Sequence, residues 1–298
     1  MNILETKDLH FQYKYETVLR EINLGIPKGS IYGYLGRNGA GKTTTIKLLL
    51  GLLKKNKGMV FFNGVDFSKD RVGALSKIGS IIESPRFYPH LTGIENLRYL
   101  DYIFKRGEKR IHDVLDLAGL PTVKHKKVKA YSSGMKQRLA IAMSILHDPD
   151  LLILDEPLNS LDPQGIFDIR ELLKKLNSNG KTILISSHIL SEIEKTCTHV
   201  GILEAGSLLY QGSMAELMTH MENSVLFQLD DLETAHILCQ SNNIKSTIMP
   251  ENKLLVKLGQ EIVLSSVIEL FTQSTIKIKG VEQPDNNLES VFLKLTTL

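Results

Sequence analysis

Short apolar runs separated by turns occupy the first third of the chain. Ile3 to Leu9 and Val18 to Ile26 are rich in apolar residues and predict strands. Pro27-Lys28-Gly29 predicts a turn, and Ser30 to Leu35 a further strand. A glycine-rich loop follows, and then an apolar helical pattern from Lys42 to Leu53. Lys57 to Val65 reads as a strand pair turning at Asn63-Gly64, and Lys77 to Ile82 as another strand. From Pro85 to Leu146 the spacing becomes helical, with Thr92 and Glu95 placed as a capping box. Leu151 to Leu154 and Thr182 to Ile185 are almost wholly apolar, as strands buried on both faces of a parallel sheet are. Each follows a helix-like segment, as parallel strands require. A strand–turn–strand spans Val200 to Tyr210, with Gly206 at the turn.

After Gly212 the pattern changes. Short β-like runs (Ser224 to Gln228, Lys253 to Val256, Thr275 to Ile278) alternate with helix-like ones (Leu232 to Ser241, Ile262 to Gln273). The whole predicts an α/β chain. Residues 1–215 form a parallel α/β core with an antiparallel β layer and a helical insertion at about 85–146. Residues 216–298 form a small α+β accessory domain.

Composition narrows the class. The 298 residues suffice for two domains, and 42% apolar with 23% charged residues excludes disordered and fibrous classes. No apolar run approaches the roughly 20 residues of a membrane helix. The start, MNILETKDLHF, lacks a basic region followed by an apolar core, so no secretory signal is expected. Two cysteines, Cys197 and Cys239, exclude a disulfide framework and fit a reducing cytosol. The net charge of +3 is unevenly spread. Residues 216–298 hold six Lys, no Arg and eleven Asp or Glu, hence −5, which leaves +8 on the rest. Lys124 to Lys129 is a basic run that reads as a solvated loop, and Arg98, Arg106 and Arg110 read as exposed helix positions. No aromatic residues interleave the run and no nucleic-acid motif is visible, so no nucleic-acid partner is expected.

Two motifs carry chemistry. Gly36-Arg37-Asn38-Gly39-Ala40-Gly41-Lys42-Thr43 fits G-x-x-x-x-G-K-[ST], with Thr44 next on the helix. Its glycines let the backbone curl until several N–H groups face phosphate oxygens, and the helix beginning near Lys42 adds its positive end. Lys42 is placed to reach the β- and γ-phosphates of ATP, and Thr43 to ligate Mg²⁺. The second motif is the apolar strand ending in Asp155-Glu156-Pro157. Asp155 suits Mg²⁺ held through water, and Glu156 suits polarising a water against the γ-phosphate.

Between and beyond these motifs the chain resembles ABC-type ATPases. Tyr131-Ser132-Ser133-Gly134-Met135-Lys136-Gln137-Arg138 resembles their signature, Asn159-Ser160-Leu161-Asp162 their D-loop, and His188 their switch histidine. Tyr13 stands where the family stacks an aromatic residue on adenine, with Phe11 the competing candidate. On its own, Ser132 to Gly134 reads as the start of a helix from Met135 to about His147, where a hydroxyl and free N–H groups make an anion site. The resemblance implies that Ser132, Gly134 and Asp162 complete the ATP site of a second copy, and that Glu156 and His188 are catalytic. It also implies membrane-spanning permease partners and a location on the inner face of the membrane.

Three departures stand out. Glu83 replaces the Gln that usually ends the strand after the phosphate loop, Ser133 replaces the first signature glycine, and Met135 its glutamine. A carboxylate at 83 can still orient Mg²⁺ or water, but it adds charge and cannot donate. Glu83-Ser84-Pro85, Phe87-Tyr88, Leu91-Thr92 and the ending Leu288-Glu289-Ser290-Val291-Phe292 resemble the bacitracin-export and lantibiotic-protection type. That implies a motor exporting a peptide antibiotic. The alternatives are an exporter of a drug or ion, or a soluble ATPase acting elsewhere. One ATPase half and no heptad region argue against the last.

Overall fold

The computed structural model describes residues 1–219, 224–250, 252–258, 263–282 and 287–296, in two compact units, Met1–Met214 and Ala215–Leu298. In the first unit a six-stranded sheet runs in the order Ser207–Ser213, His199–Glu204, Ile31–Leu35, Thr182–Ser187, Leu151–Asp155, Ile78–Ile81. All neighbours are parallel except the first hairpin. Ile31–Leu35, Leu151–Asp155 and Thr182–Ser187 are buried at every position, which is why their sequences lack alternation.

The antiparallel layer is built on Asn2–Tyr13, flanked by Glu16–Ile22 and Lys57–Phe62, with Gly25–Pro27 also paired to it and Val65–Asp66 beyond. Two boundaries differ from the sequence reading. The first strand extends to Tyr13 because register shifts carry the pairing past Asp8, itself at φ 48°. Val18 to Ile26 is not one strand. Thr6 Oγ1 donates to Ile22 O at 2.6 Å and accepts from Leu24 N at 2.8 Å, so a side chain takes over the ladder where the strand breaks.

The helical insertion is a set of three helices, Gly93–Phe104, Gly107–Leu117 and Ser133–Ser144. Residues 85–92 are not helical. Thr92 caps the first helix in a capping box with Glu95. The phosphate-loop helix spans Lys42–Leu49, shorter than the apolar pattern to Leu53.

Arg106 and Arg110 are not idle surface positions. Arg110 Nη2 donates to Ile145 O at 2.7 Å, its Nε to Leu146 O at 3.2 Å, and Arg106 Nη2 to His147 O at 2.7 Å. They bind carbonyls just past the end of Ser133–Ser144, among them Ile145 O, which also accepts from Asp148 N at 3.1 Å. Arg98 instead pairs with Glu108 on the surface. Arg110→Ala is expected to lower stability by about 1–3 kcal/mol, because Leu146 O loses its guanidinium donor and Ile145 O keeps only Asp148 N. Urea denaturation measures it.

The second unit is a four-stranded antiparallel sheet in the order Ser246–Met249, Lys253–Lys257, Ser224–Leu229, Ile278–Glu282. Helices Leu232–Ser241 and Leu264–Gln273 complete a βαββαβ arrangement with the split order of ferredoxin-like domains. The expected start of the second helix at Ile262 lies outside the described residues. Phe227 and Phe271 meet edge to face at 5.1 Å in its core.

Candidate functional site

The phosphate loop joins the buried strand Ile31–Leu35 to the helix Lys42–Leu49. Gly41 sits at φ 110°, and a Cβ there would lie 2.6 Å from Leu19 Cδ2. Only glycine suits this position on both counts. Gly36 is as tight, since a Cβ would meet Leu203 O at 2.6 Å. Asn38 and Gly39 are exposed, Ala40 and Gly41 buried, and Thr43 and Thr44 half-buried. Gly41 caps the helix without any side chain, which leaves its first N–H groups to a ligand. Tyr34 Oη meets Thr45 Oγ1 at 3.2 Å and ties the helix to the strand before the loop.

Lys42 is 6% exposed, and its ammonium must therefore be partnered. Nζ donates to Gly36 O at 2.7 Å and Arg37 O at 3.3 Å, and lies 3.3 Å from Glu156 Oε1. The other Glu156 oxygen, Oε2, is 3.0 Å from His188 Nδ1. Three sequence-distant residues thus form one chain, Lys42–Glu156–His188. Beside it Thr43 Oγ1 donates to Asp155 Oδ2 at 2.9 Å.

A hydroxyl and a buried carboxylate in contact are hard oxygen donors, few in number. They fit Mg²⁺, which keeps waters and takes phosphate oxygens for the rest of its shell.

The acidic pair is held by a residue that sequence reasoning missed. Ser186 Oγ donates to Asp155 Oδ1 at 2.6 Å and accepts from Glu156 N at 2.8 Å. The signal was present, since serines end the apolar run Thr182–Ser187 opposite Asp155 in the parallel register. Glu156 has φ 50° and Glu83 φ 57°. Ile81 pairs with Leu154, so the two glutamates fall at matching places beyond adjacent strands. A non-glycine residue is rarely left-handed without a local cause, and such residues cluster at functional sites.

Glu83 is exposed, and its Oε1 lies 2.6 Å from Lys47 Nζ. This ion pair holds the Glu83 carboxyl below the usual carboxylate range and raises the Lys47 ammonium. The sequence offers Glu83 as a residue able to orient Mg²⁺ or water; in the structure its partner is a lysine that the sequence did not single out.

Tyr13 is 46% exposed and rests edge-on against Phe11, which is buried at 5%. Tyr13 alone of the two keeps a face open to a stacked base. Ser132 caps Ser133–Ser144 by accepting from Met135 N at 3.2 Å, so this helix starts two residues before Met135. A Cβ on Gly134 would lie 3.7 Å from Gly165 Cα, at the start of Pro163–Ser178. Asp162 caps that helix through Gly165 N at 2.9 Å. Among the described residues no hydrogen bond or ion pair joins Ser132, Gly134 or Asp162 to the phosphate loop.

A groove of about 780 Å³ runs from Glu83 and Phe87 past Ser133 and Lys136 to Glu156 and Ser160. A second cavity, of about 410 Å³, lies between Pro85 and Phe87 on one side and Leu100, Phe104 and His147 on the other. His147 stacks on Phe104 at 4.5 Å, and burial holds its imidazole below the usual histidine range.

Comparison with known proteins gives a consistent answer. The family model described as "ABC transporter" matches residues 19–159. The bacitracin transport ATP-binding protein BcrA of Enterococcus faecalis is 39% identical over 98% of this chain and 96% of its own length. The lantibiotic transport ATP-binding protein SrtF of Streptococcus pyogenes is 41% identical over 76% of this chain and 99% of its own. An ATP-binding cassette named MJ0796, solved as a dimer in a post-hydrolysis state with ADP and Pi, superposes with a TM-score of 0.63. It is 27% identical over 71% of this chain and 98% of that one.

Proposed function

This chain belongs to the ABC transporter ATP-binding proteins and is the ATP-hydrolysing motor subunit of such a transporter; we propose that the transporter expels a peptide antibiotic of the bacitracin or lantibiotic kind. The observation that carries the motor's mechanism is the meeting of Lys42, Thr43, Asp155, Glu156 and His188 at the carboxyl edge of one parallel sheet. Such edges are where open α/β folds bind nucleotides.

In the mechanism, Tyr13 stacks the adenine and Gly36 to Thr44 wrap the phosphates with backbone N–H groups. Lys42 gives up its loop carbonyls for phosphate oxygens. Thr43, and Asp155 through water, would hold Mg²⁺, which would neutralise phosphate charge when bound. Glu156, released from Lys42, accepts a proton from the attacking water. His188 holds Glu156 Oε2 and so fixes which oxygen faces the water.

Ser132 and Gly134 of a second copy close over the γ-phosphate with the free end of their helix, and Asp162 sits nearby as a contact across the dimer. Burial of that phosphate between copies supplies the differential contact that makes closure depend on ATP. The dimeric state of MJ0796 supports this arrangement.

No described helix is long and apolar enough to cross a membrane. In this reading separate permease subunits provide the path, and the chain lies on the inner face where ATP is available. The cavity between Pro85 and Phe104, together with Tyr99, Tyr102 and Ile103 exposed on the helix Gly93–Phe104, is the surface we assign to them. Similarity to BcrA across both units supports the cargo assignment.

Produced with its permeases in a susceptible host, the chain is expected to raise the inhibitory concentration of bacitracin or a lantibiotic several-fold. The Glu156→Gln chain should give no protection. Equal inhibition with and without the active transporter would remove the cargo assignment and leave the ATPase intact.

A further inference from the structure

Lys47 lies on the helix that begins with Lys42 and is not part of the phosphate-loop motif. Its Nζ is 2.6 Å from Glu83 Oε1, and Asp155 and Tyr13 are close enough to act on its charge. Arg86 is the other cation acting on Glu83. The nucleotide site therefore carries three carboxylates along one edge, Glu83, Asp155 and Glu156. Lys42 partners Glu156 and Lys47 partners Glu83.

An amide at position 83 would be neutral and would offer both a donor and an acceptor. Glu83 alone is charged and only accepts. Together Glu83 and Lys47 are neutral and present both functions. Glu83 is exposed at 64% and Lys47 half-buried at 30%, so the pair is screened by solvent and weak. A divalent cation arriving with a triphosphate can take the carboxylate from it.

Resting on the nucleotide-site reading above, we propose that Lys47 competes with the magnesium ion for Glu83. Without metal, Lys47 holds Glu83 at the rim and keeps a third carboxylate from crowding Asp155 and Glu156. With metal, Glu83 turns to it and leaves Lys47. Lys47 is thus a positioning residue that sets how readily Glu83 reaches the metal.

The test titrates Mg²⁺ into the full chain with a fluorescent ATP analogue and reads the half-saturating magnesium concentration from the binding signal. Lys47→Met is expected to lower that concentration about threefold to tenfold, because the competing ammonium is gone. Lys47→Arg should stay at the wild-type value. In a Glu83→Gln background the same Lys47→Met change should have no effect. An equal drop in both backgrounds would mean a general charge effect and would overturn the proposal. So would the lack of a drop with Glu83 in place. Lys42→Ala serves as the control. If it binds the analogue as wild type does, the nucleotide-site reading itself fails and the proposal falls with it. Loss of binding in Lys42→Ala with equal Lys47→Met drops in both backgrounds sinks the proposal alone.

Discussion

Glu156→Gln is expected to cut ATP turnover by about 100-fold or more while ATP remains bound, since a positioned general base is worth roughly 10² to 10⁴ in rate. The substitution is nearly isosteric. Its backbone stays fixed, because Glu156 N donates to Ser186 Oγ and the residue already occupies φ 50°. What changes is charge and acceptor capacity. Oε1 faces Lys42 at 3.3 Å and Oε2 faces His188 at 3.0 Å, and an amide can satisfy only one of these as an acceptor. Water then has no group to take its proton, and the closed dimer has no route to open. Turnover is read by phosphate release, and association by light scattering with ATP and Mg²⁺. Dimers should accumulate in the variant and dissociate in the wild type. Normal phosphate release would remove Glu156 from its role. Arrest without dimers would instead locate the defect before closure.

Much of the site was legible because its parts are local in sequence. Gly36 to Thr44 needs only a strand before and a helix after, and both are present around it. Asp155 and Glu156 end an apolar run whose burial on both faces dictates a central strand. The fold class followed from the same alternation of buried runs and helical patterns. The illegible parts depend on residues brought together across long stretches of chain. Lys47 and Glu83 are 36 residues apart, and Arg110 reaches carbonyls 35 and 36 residues on. No spacing rule announces such contacts. The broken strand near Ile22 was hidden for a related reason, since Thr6 supplies the interrupting hydroxyl from sixteen residues away. Glu83 shows the limit best. Its position was read from pattern, but its partner required the structure.

Lys42→Ala is expected to weaken ATP binding by roughly 100-fold or more, which corresponds to about 2.8 kcal/mol at 1.4 kcal/mol per decade. Two charge-assisted hydrogen bonds to phosphate, each worth about 1.5–3 kcal/mol, account for a loss of that size. The geometry explains why no neighbour substitutes. Lys47 lies more than a turn further along the helix, beside Glu83, and Arg37 is exposed at the rim of the loop. The truncation has a second consequence. Glu156 loses its Lys42 partner and keeps His188, so the acidic pair faces the phosphates with less positive charge between them. Binding should therefore fall further than the lost contacts alone require, and added Mg²⁺ should recover part of it. Lys42→Arg is not a mild control, because a planar guanidinium does not fit the point-like space between Gly36 O and Glu156. Calorimetry with ATP, with and without Mg²⁺, measures both effects, and a melting curve separates them from unfolding. A folded Lys42→Ala chain that binds ATP as tightly as the wild type would show that the loop does not hold the triphosphate. The roles of Thr43, Asp155 and Glu156 would then have to be assigned anew.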